Sequence, residues 1–256
     1  LGIDFMAYKI VLMYHDVVRH DCSESGFQNP TALKYKVKVN EFERQVAAVA
    51  DYLEAKRLPH ETVEFTFDDG GVTFLTEAAP ILERNGFKGK FFIATSRIDT
   101  NGFLSRKQIM ELRDRGHVIG AHSHTHPERM SVMSRKQIED EWNTSAKILE
   151  DIIGSKPVCA SVPNGYSSDK VIRAMESAGI TEIHTSQPTS HYIRNGTVII
   201  KGRFAITESD SVDSVMKIVG SRFTRMMKAT RFKCLALAKI LLGESYLKIR
   251  GALLKK

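Results

Sequence analysis

The chain has 256 residues, of which 42% are apolar, 26% charged and 8% aromatic. This is the composition of a globular protein with a sizeable core, and it excludes a disordered or collagen-like chain. Three scattered cysteines, Cys22, Cys159 and Cys234, form neither a disulfide framework nor a zinc-finger spacing, and they suit a reducing compartment. No apolar run reaches the ~20 residues that a membrane-spanning helix needs.

Met6 opens an apolar stretch and reads as the native start, with residues 1–5 as a tag remnant. On that reading no secretory signal is present, and the expected location is the cytoplasm. The net charge of +7 is unevenly spread: residues 217–256 carry eleven basic residues and one acid, Glu244, which leaves residues 1–216 at −3. The basic segment is also apolar at helical spacing, at Phe223, Met226, Met227, Leu235, Leu237, Ile240 and Leu241, then at Leu247, Ile249, Leu253 and Leu254. A basic amphipathic helix either packs on its own domain or lies on an anionic membrane surface. No nucleic-acid module accompanies it.

In chain order, β-rich runs are predicted at residues 9–14, 62–67, 90–95, 117–121, 158–162, 181–185 and 197–204. Helical patterns lie between them, at residues 40–56, 72–85, 105–115, 134–153, 168–178 and 209–219. Ser105 and Ser134 each open a Ser-x-x-Gln capping box, and Gly86, Gly116 and Gly179 follow helices as stop residues. Strand–helix alternation over this length predicts a parallel sheet curled into a (β/α) barrel of about seven strands. The expected division is a barrel over residues 1–216 and a basic helical extension over 217–256. Residues 16–39 read as a long loop beside the active face.

Two clusters carry chemistry, and both follow strands. Asp68-Asp69-Gly70-Gly71 places two carboxylates at a strand end, either near a positive group or as caps of the helix starting near Val72. His122-Ser-His124-Thr-His126 places three imidazoles in five residues, a pattern suited to a transition metal. Together they supply one carboxylate and two imidazoles with room left for water, and a spare carboxylate as general base. The chemistry predicted is metal-assisted hydrolysis of an acyl bond.

Thr66-Phe-Asp-Asp-Gly70 and His122-Ser-His-Thr-His126-Pro127 resemble the first two motifs of the polysaccharide deacetylase family, the NodB-homology or carbohydrate esterase 4 group. Val162-Pro-Asn-Gly-Tyr166 resembles the third, and the similarity extends over about residues 8–205. The resemblance implies a distorted barrel that deacetylates sugars. It implies Asp68 as general base and Asp69, His122 and His126 as ligands of a divalent metal, with His124 a non-ligand. The metal implied is Zn²⁺, with Co²⁺, Ni²⁺ or Mn²⁺ as alternatives. It also implies oxyanion stabilisation by the N–H of Asn164, with Pro163 and Tyr166 as neighbours in the substrate groove.

The sequence departs from that family in two places. Ser161 stands where the third motif usually has an arginine paired with the base, so base tuning comes from elsewhere or is absent, and Arg203 is the candidate substitute. The late strand with a general-acid histidine is missing from the C-terminal third. Tyr14-His15-Asp16-Val17 instead resembles the permuted arrangement of members that act on poly-N-acetylglucosamine, which makes His15 the general acid with Asp16 near the site. His184 is a second candidate acid, Phe27 a candidate groove wall, and Trp142 a packing anchor. The function expected is removal of acetyl from an N-acetylated sugar in glycan or surface-polysaccharide biosynthesis. A lipid-linked or membrane-proximal substrate is the accompanying expectation, with residues 217–256 either packed on the barrel or holding the protein at the inner membrane face. The alternatives are a catalytically impaired glycan- or metal-binding barrel, which Ser161 favours, and an amidohydrolase-type barrel, in which His124 ligates and Asp69 does not.

Overall fold

The computed structural model describes residues 9–165 and 167–242. Tyr166 and the apolar positions 247, 249, 253 and 254 of the basic tail lie outside the described residues.

Eight parallel strands and one antiparallel edge strand form a curled sheet. They are β1 (Ile10–Tyr14), β4 (Val63–Phe67), β5 (Gly89–Ile93), β6 (Val118–Ala121), β7 (Cys159–Ser161), β8 (Glu182–His184), β9 (Tyr192–Asn195), β10 (Val198–Lys201) and β11 (Phe204–Ala205). Their order is β11-β1-β4-β5-β6-β7-β8-β10-β9. Two short strands, β2 (Val17–Val18) and β3 (Val37–Lys38), pair outside this sheet. All seven expected strands are present, with two differences.

The run expected over 197–204 is broken. β10 pairs with β8, β11 pairs with β1, and Gly202-Arg203 alone joins them. A side chain at Gly202 would lie 2.2 Å from the Gln187 carbonyl oxygen, so only glycine fits this sharp passage. The second difference is β9, which pairs antiparallel with β10 across Gly196.

The helices are α1 (Pro30–Leu33), α2 (Val39–Ala55), α3 (Ala79–Arg84), α4 (Arg106–Asp114), α5 (Arg135–Ile153), α6 (Asp169–Ser177), α7 (Val212–Gly220) and α8 (Arg222–Leu242). α2 buries Phe42, Val46, Val49 and Leu53, an apolar stripe at helical period that packs toward the sheet. Ser105 and Ser134 form the expected capping boxes. Gly86, Gly116 and Gly179 take left-handed backbone after their helices.

The helix expected over 72–85 begins as a π-helical turn, Phe74–Ala78, before α3. Pro80 lacks the N–H of a regular turn and crowds the preceding one, which explains the widening. The expected loop 16–39 holds α1, β2 and β3 and is pinned by buried polar groups. α7 runs across the expected boundary at residue 216 and packs on α2 through Val215, Ile218 and Val219.

Inside the barrel lies a buried ionic layer. Glu64 pairs with Lys9 at 2.9 Å, Lys90 at 3.1 Å and Lys201 at 3.1 Å, and Glu182 pairs with Lys201 at 2.9 Å and with Lys90. Three ammonium groups face the two carboxylates, one more cation than anion, so neither acid is buried unpaired. Glu64, Thr66 and Asp68 alternate along one strand face, so this layer sits beneath the strand-end site.

Candidate active site

β4 delivers Asp68 and Asp69 to its carboxyl end, where parallel barrels place their chemistry. The Asp68 N–H still bonds the Tyr14 carbonyl at 3.1 Å, and then the chain turns. Asp69 adopts φ +88, and a Cβ at Gly71 would lie 1.9 Å from Asp16 Oδ1. The turn thus requires glycine there for close approach.

β6 delivers the histidines in the same way. Ser123 and His126 have φ +60 and +58, and Asn164 at the end of β7 has φ +54. Of the six described non-glycine residues with positive φ, Asp69, His126 and Asn164 line one cleft, and Ser123 lies buried between two of the histidines. Such strain persists only where the surroundings over-determine it. Glu141 of α5 is part of that constraint: its carboxylate accepts the N–H groups of His124 and Thr125 at 2.9 and 2.8 Å and the Thr125 hydroxyl at 2.6 Å.

Asp69 Oδ1 lies 3.4 Å from His122 Nε2 and 3.3 Å from His126 Nε2. A tetrahedral ion about 2.1 Å from each donor sets its donors about 3.4 Å apart. The three residues therefore fit a divalent metal, and they offer the imidazole–carboxylate donor set that zinc takes. His122 Nδ1 lies 2.6 Å from Ser161 Oγ and 3.0 Å from the Ser161 carbonyl, which holds its proton on that side and leaves Nε2 for a ligand. Phe27 packs on the His126 ring at 5.0 Å. His124 turns away, with Nδ1 2.9 Å from Thr95 Oγ1.

Asp68 is gripped by Arg203. The guanidinium donates to Oδ1 at 2.6 Å and to Oδ2 at 2.7 Å, and the Ser161 hydroxyl donates to Oδ1 at 3.0 Å. Burial alone would raise this carboxyl. The charge of Arg203, with His122, outweighs burial and holds it well below the usual carboxylate range. The arginine missing at Ser161 is thus replaced from the Gly202-Arg203 passage. Ser161 fills the space as a bridge between His122 and Asp68, a role the sequence did not suggest.

His15 follows β1 and lines the same cleft, its ring 4.4 Å from that of Tyr35. Its buried Nδ1 has no hydrogen-bond partner among the described residues. Asp16 lies beside the site but outside the cleft lining. It is buried against Ser25 Oγ at 2.6 Å, Thr73 Oγ1 at 3.4 Å and Lys36 Nζ at 3.7 Å, and it anchors the 16–36 segment. Asn164 lines the cleft and Pro163 is buried behind it. Trp142 is fully buried, as a packing anchor is.

His184 requires correction as a candidate acid. Its Nε2 bonds Glu182 at 2.7 Å within the ionic layer, its ring packs on Phe92, and it does not line the cleft. Burial pushes its pKa down to about 4, which disfavours the charged imidazolium that a general acid needs.

The cleft measures about 610 Å³ and opens to solvent. One wall is unexpected: Lys228, Arg231, Phe232 and Leu235 of α8 line it together with the catalytic candidates.

A curled parallel sheet with Asp-Asp and His-x₃-His at its strand ends defines a carbohydrate esterase 4 barrel. IcaB from Ammonifex degensii superposes with TM-score 0.67 at 18% identity, covering 84% of this chain and 98% of that one. Streptococcus pyogenes deacetylase PplD, solved with acetate, gives 0.65 at 19% identity, covering 82% and 97%. Residues 55–183 match the polysaccharide deacetylase family, and the chain belongs to it. The peptidoglycan-N-acetylmuramic acid deacetylase PdaA of Bacillus subtilis is 26% identical over 128 residues, 49% of this chain and 47% of that protein. The matched part spans less than half the length of the curated relatives.

Proposed function

We propose that this chain is a metal-dependent deacetylase that removes acetyl from an N-acetylated sugar in glycan or surface-polysaccharide biosynthesis. The observation that carries this reading is the Asp69–His122–His126 donor set beside an Asp68 clamped by Arg203, all lining one open cleft.

Asp69, His122 and His126 would hold a divalent ion, Zn²⁺ first, whose chemistry when bound is to acidify water and polarise a carbonyl. Asp68, kept ionised by Arg203, takes a proton from water as the water oxygen bonds the acetyl carbon. The Asn164 N–H is assigned to the developing oxyanion, with Pro163 and Tyr166 as its neighbours in the groove. His15 gives its proton to the sugar nitrogen as the C–N bond breaks, so acetate and an amine leave. Arg203 is a positioning residue that acts through Asp68.

On this reading α8 and the basic sequence that follows it bring the cleft to an anionic membrane surface, where a glycan under construction is carried. A cytoplasmic site at the inner membrane face is consistent with the uneven charge. No described helix is long and apolar enough to cross a membrane. The impaired-barrel alternative drew on Ser161; the Arg203–Asp68 pair supports the catalytic reading over it, and turnover decides between them.

The test is acetate release from N-acetylglucosamine oligomers by the zinc-loaded protein, with Asp68→Asn as the variant. Loss of turnover with metal retained supports the assignment. Full activity in the variant, or stoichiometric loss of its metal, overturns Asp68 as base.

A further inference from the structure

The cleft has a cationic wall that the deacetylation chemistry does not use. Lys228 and Arg231 are one helical turn apart on α8 and line the cavity that holds Asp68, Asp69, His122 and His126. Neither makes an ion pair or hydrogen bond among the described residues, and α8 contains no acidic residue. Asp68 is already paired with Arg203, and Asp69 faces the two imidazoles. Among the described residues the cleft therefore presents two unspent positive charges, which a neutral sugar polymer leaves unmatched.

Phe232 and Leu235 line the cleft beside them, each 42% exposed. Around the helix from this face, Phe223, Met226, Met227 and Leu237 form an apolar stripe that is more than half exposed. At 100° per residue these four fall within about 100° of arc, next to the sector of Arg231 and Lys228. Acetyl-hydrolysing groups, paired cations and an exposed apolar helix face are thus contiguous in one molecule. A ligand matching that order has an N-acetylated sugar, then a phosphoryl group, then a long hydrocarbon chain.

We propose that Lys228 and Arg231 form a phosphate subsite of the cleft, and that the substrate is an N-acetylated sugar esterified through phosphate to a long-chain lipid alcohol. The sugar end rests on the deacetylase reading; the phosphate end does not. The shared chemistry is a phosphoryl-linked sugar, which a nucleotide also supplies. Phe232, Leu235 and the stripe beyond them select the lipid.

The test is calorimetric binding to the full chain, with dodecyl phosphate below its micelle concentration as probe. Dodecyl maltoside, inorganic phosphate and uridine diphosphate are the comparators. Dodecyl phosphate binds at least about tenfold tighter than dodecyl maltoside or inorganic phosphate, as charge-assisted hydrogen bonds plus apolar burial require. The K228A/R231A variant loses about tenfold or more of that affinity, and K228R/R231K retains it. Equal affinity for dodecyl maltoside, or unchanged affinity in K228A/R231A, overturns the subsite. Tighter binding of uridine diphosphate than of dodecyl phosphate overturns the lipid assignment. Binding is read without turnover, so failure of acetate release and failure of this subsite are separate results.

Discussion

Arg203 and Asp68 are 135 positions apart, yet both oxygens of the carboxylate meet the guanidinium, at 2.6 and 2.7 Å. Both side chains are buried. Breaking a buried pair strands one charge, so Arg203→Ala is expected to cost ~3–5 kcal/mol of stability. Arg203→Lys keeps the charge but loses the two-pronged geometry, and it should fall between wild type and alanine. Denaturant unfolding, with kcat measured in parallel, checks both. Equal stability of Arg203→Ala and wild type would contradict the pairing.

Asp68→Asn is isosteric and leaves the Asp69–His122–His126 set intact. Loss of a general base lowers kcat on the order of 10²–10⁴-fold. Metal content by elemental analysis should remain at one ion per chain.

His15 is tested through the leaving group. An amide needs a proton on nitrogen, whereas an acetyl ester of a nitrophenol leaves as a stable anion. His15→Ala should lower amide hydrolysis on the order of 10²-fold or more and spare the activated ester. An equal loss on both substrates would make His15 a structural wall of the cleft.

Glu141 never touches the donor set, yet it fixes the backbone of the loop between His122 and His126. Glu141→Ala should weaken metal binding by about 10–100-fold, the usual cost of removing a supporting partner. Competition with a chromogenic chelator measures it.

The ionic layer predicts acid sensitivity. The Glu64 carboxyl is held down to about 2, because Lys90 and Lys201 outweigh the opposing effect of burial. A depressed acid contributes stability above its unfolded value and loses it as pH falls toward 2. His184 is depressed to about 4, so between 6.5 and 4 the unfolded chain binds a proton that the folded chain does not. Stability falls with pH across that window too, by at most about 1.4 kcal/mol per unit for the one proton. Unfolding midpoints at pH 7, 6, 5 and 4.5 should show a slope that His184→Asn flattens.

The metal-type cluster was legible because Asp68-Asp69 and His122 to His126 are short contiguous segments placed by the ends of β4 and β6. Helix caps were legible for the same reason: Ser105 and Ser134 bond partners three residues away. Arg203 could be suspected only from the charge that Ser161 fails to supply, since no local pattern places a residue 135 positions off. His184 misled because a strand-end position does not say in which interior layer a side chain lies. β9 was missed although Asn195-Gly196 is a hairpin signal. The cationic cleft wall was invisible because helical periodicity gives faces but not the element they meet.

Gly202-Arg203 carries the chain directly from β10, next to one edge strand of the curled sheet, to β11 at the other edge. The residue that holds the proposed base ionised therefore sits on the crossing between these strands. Until β10 and β11 are both in place, Arg203 has no fixed position from which to meet Asp68. Docking of the last strands and pairing of the proposed base are thereby coupled.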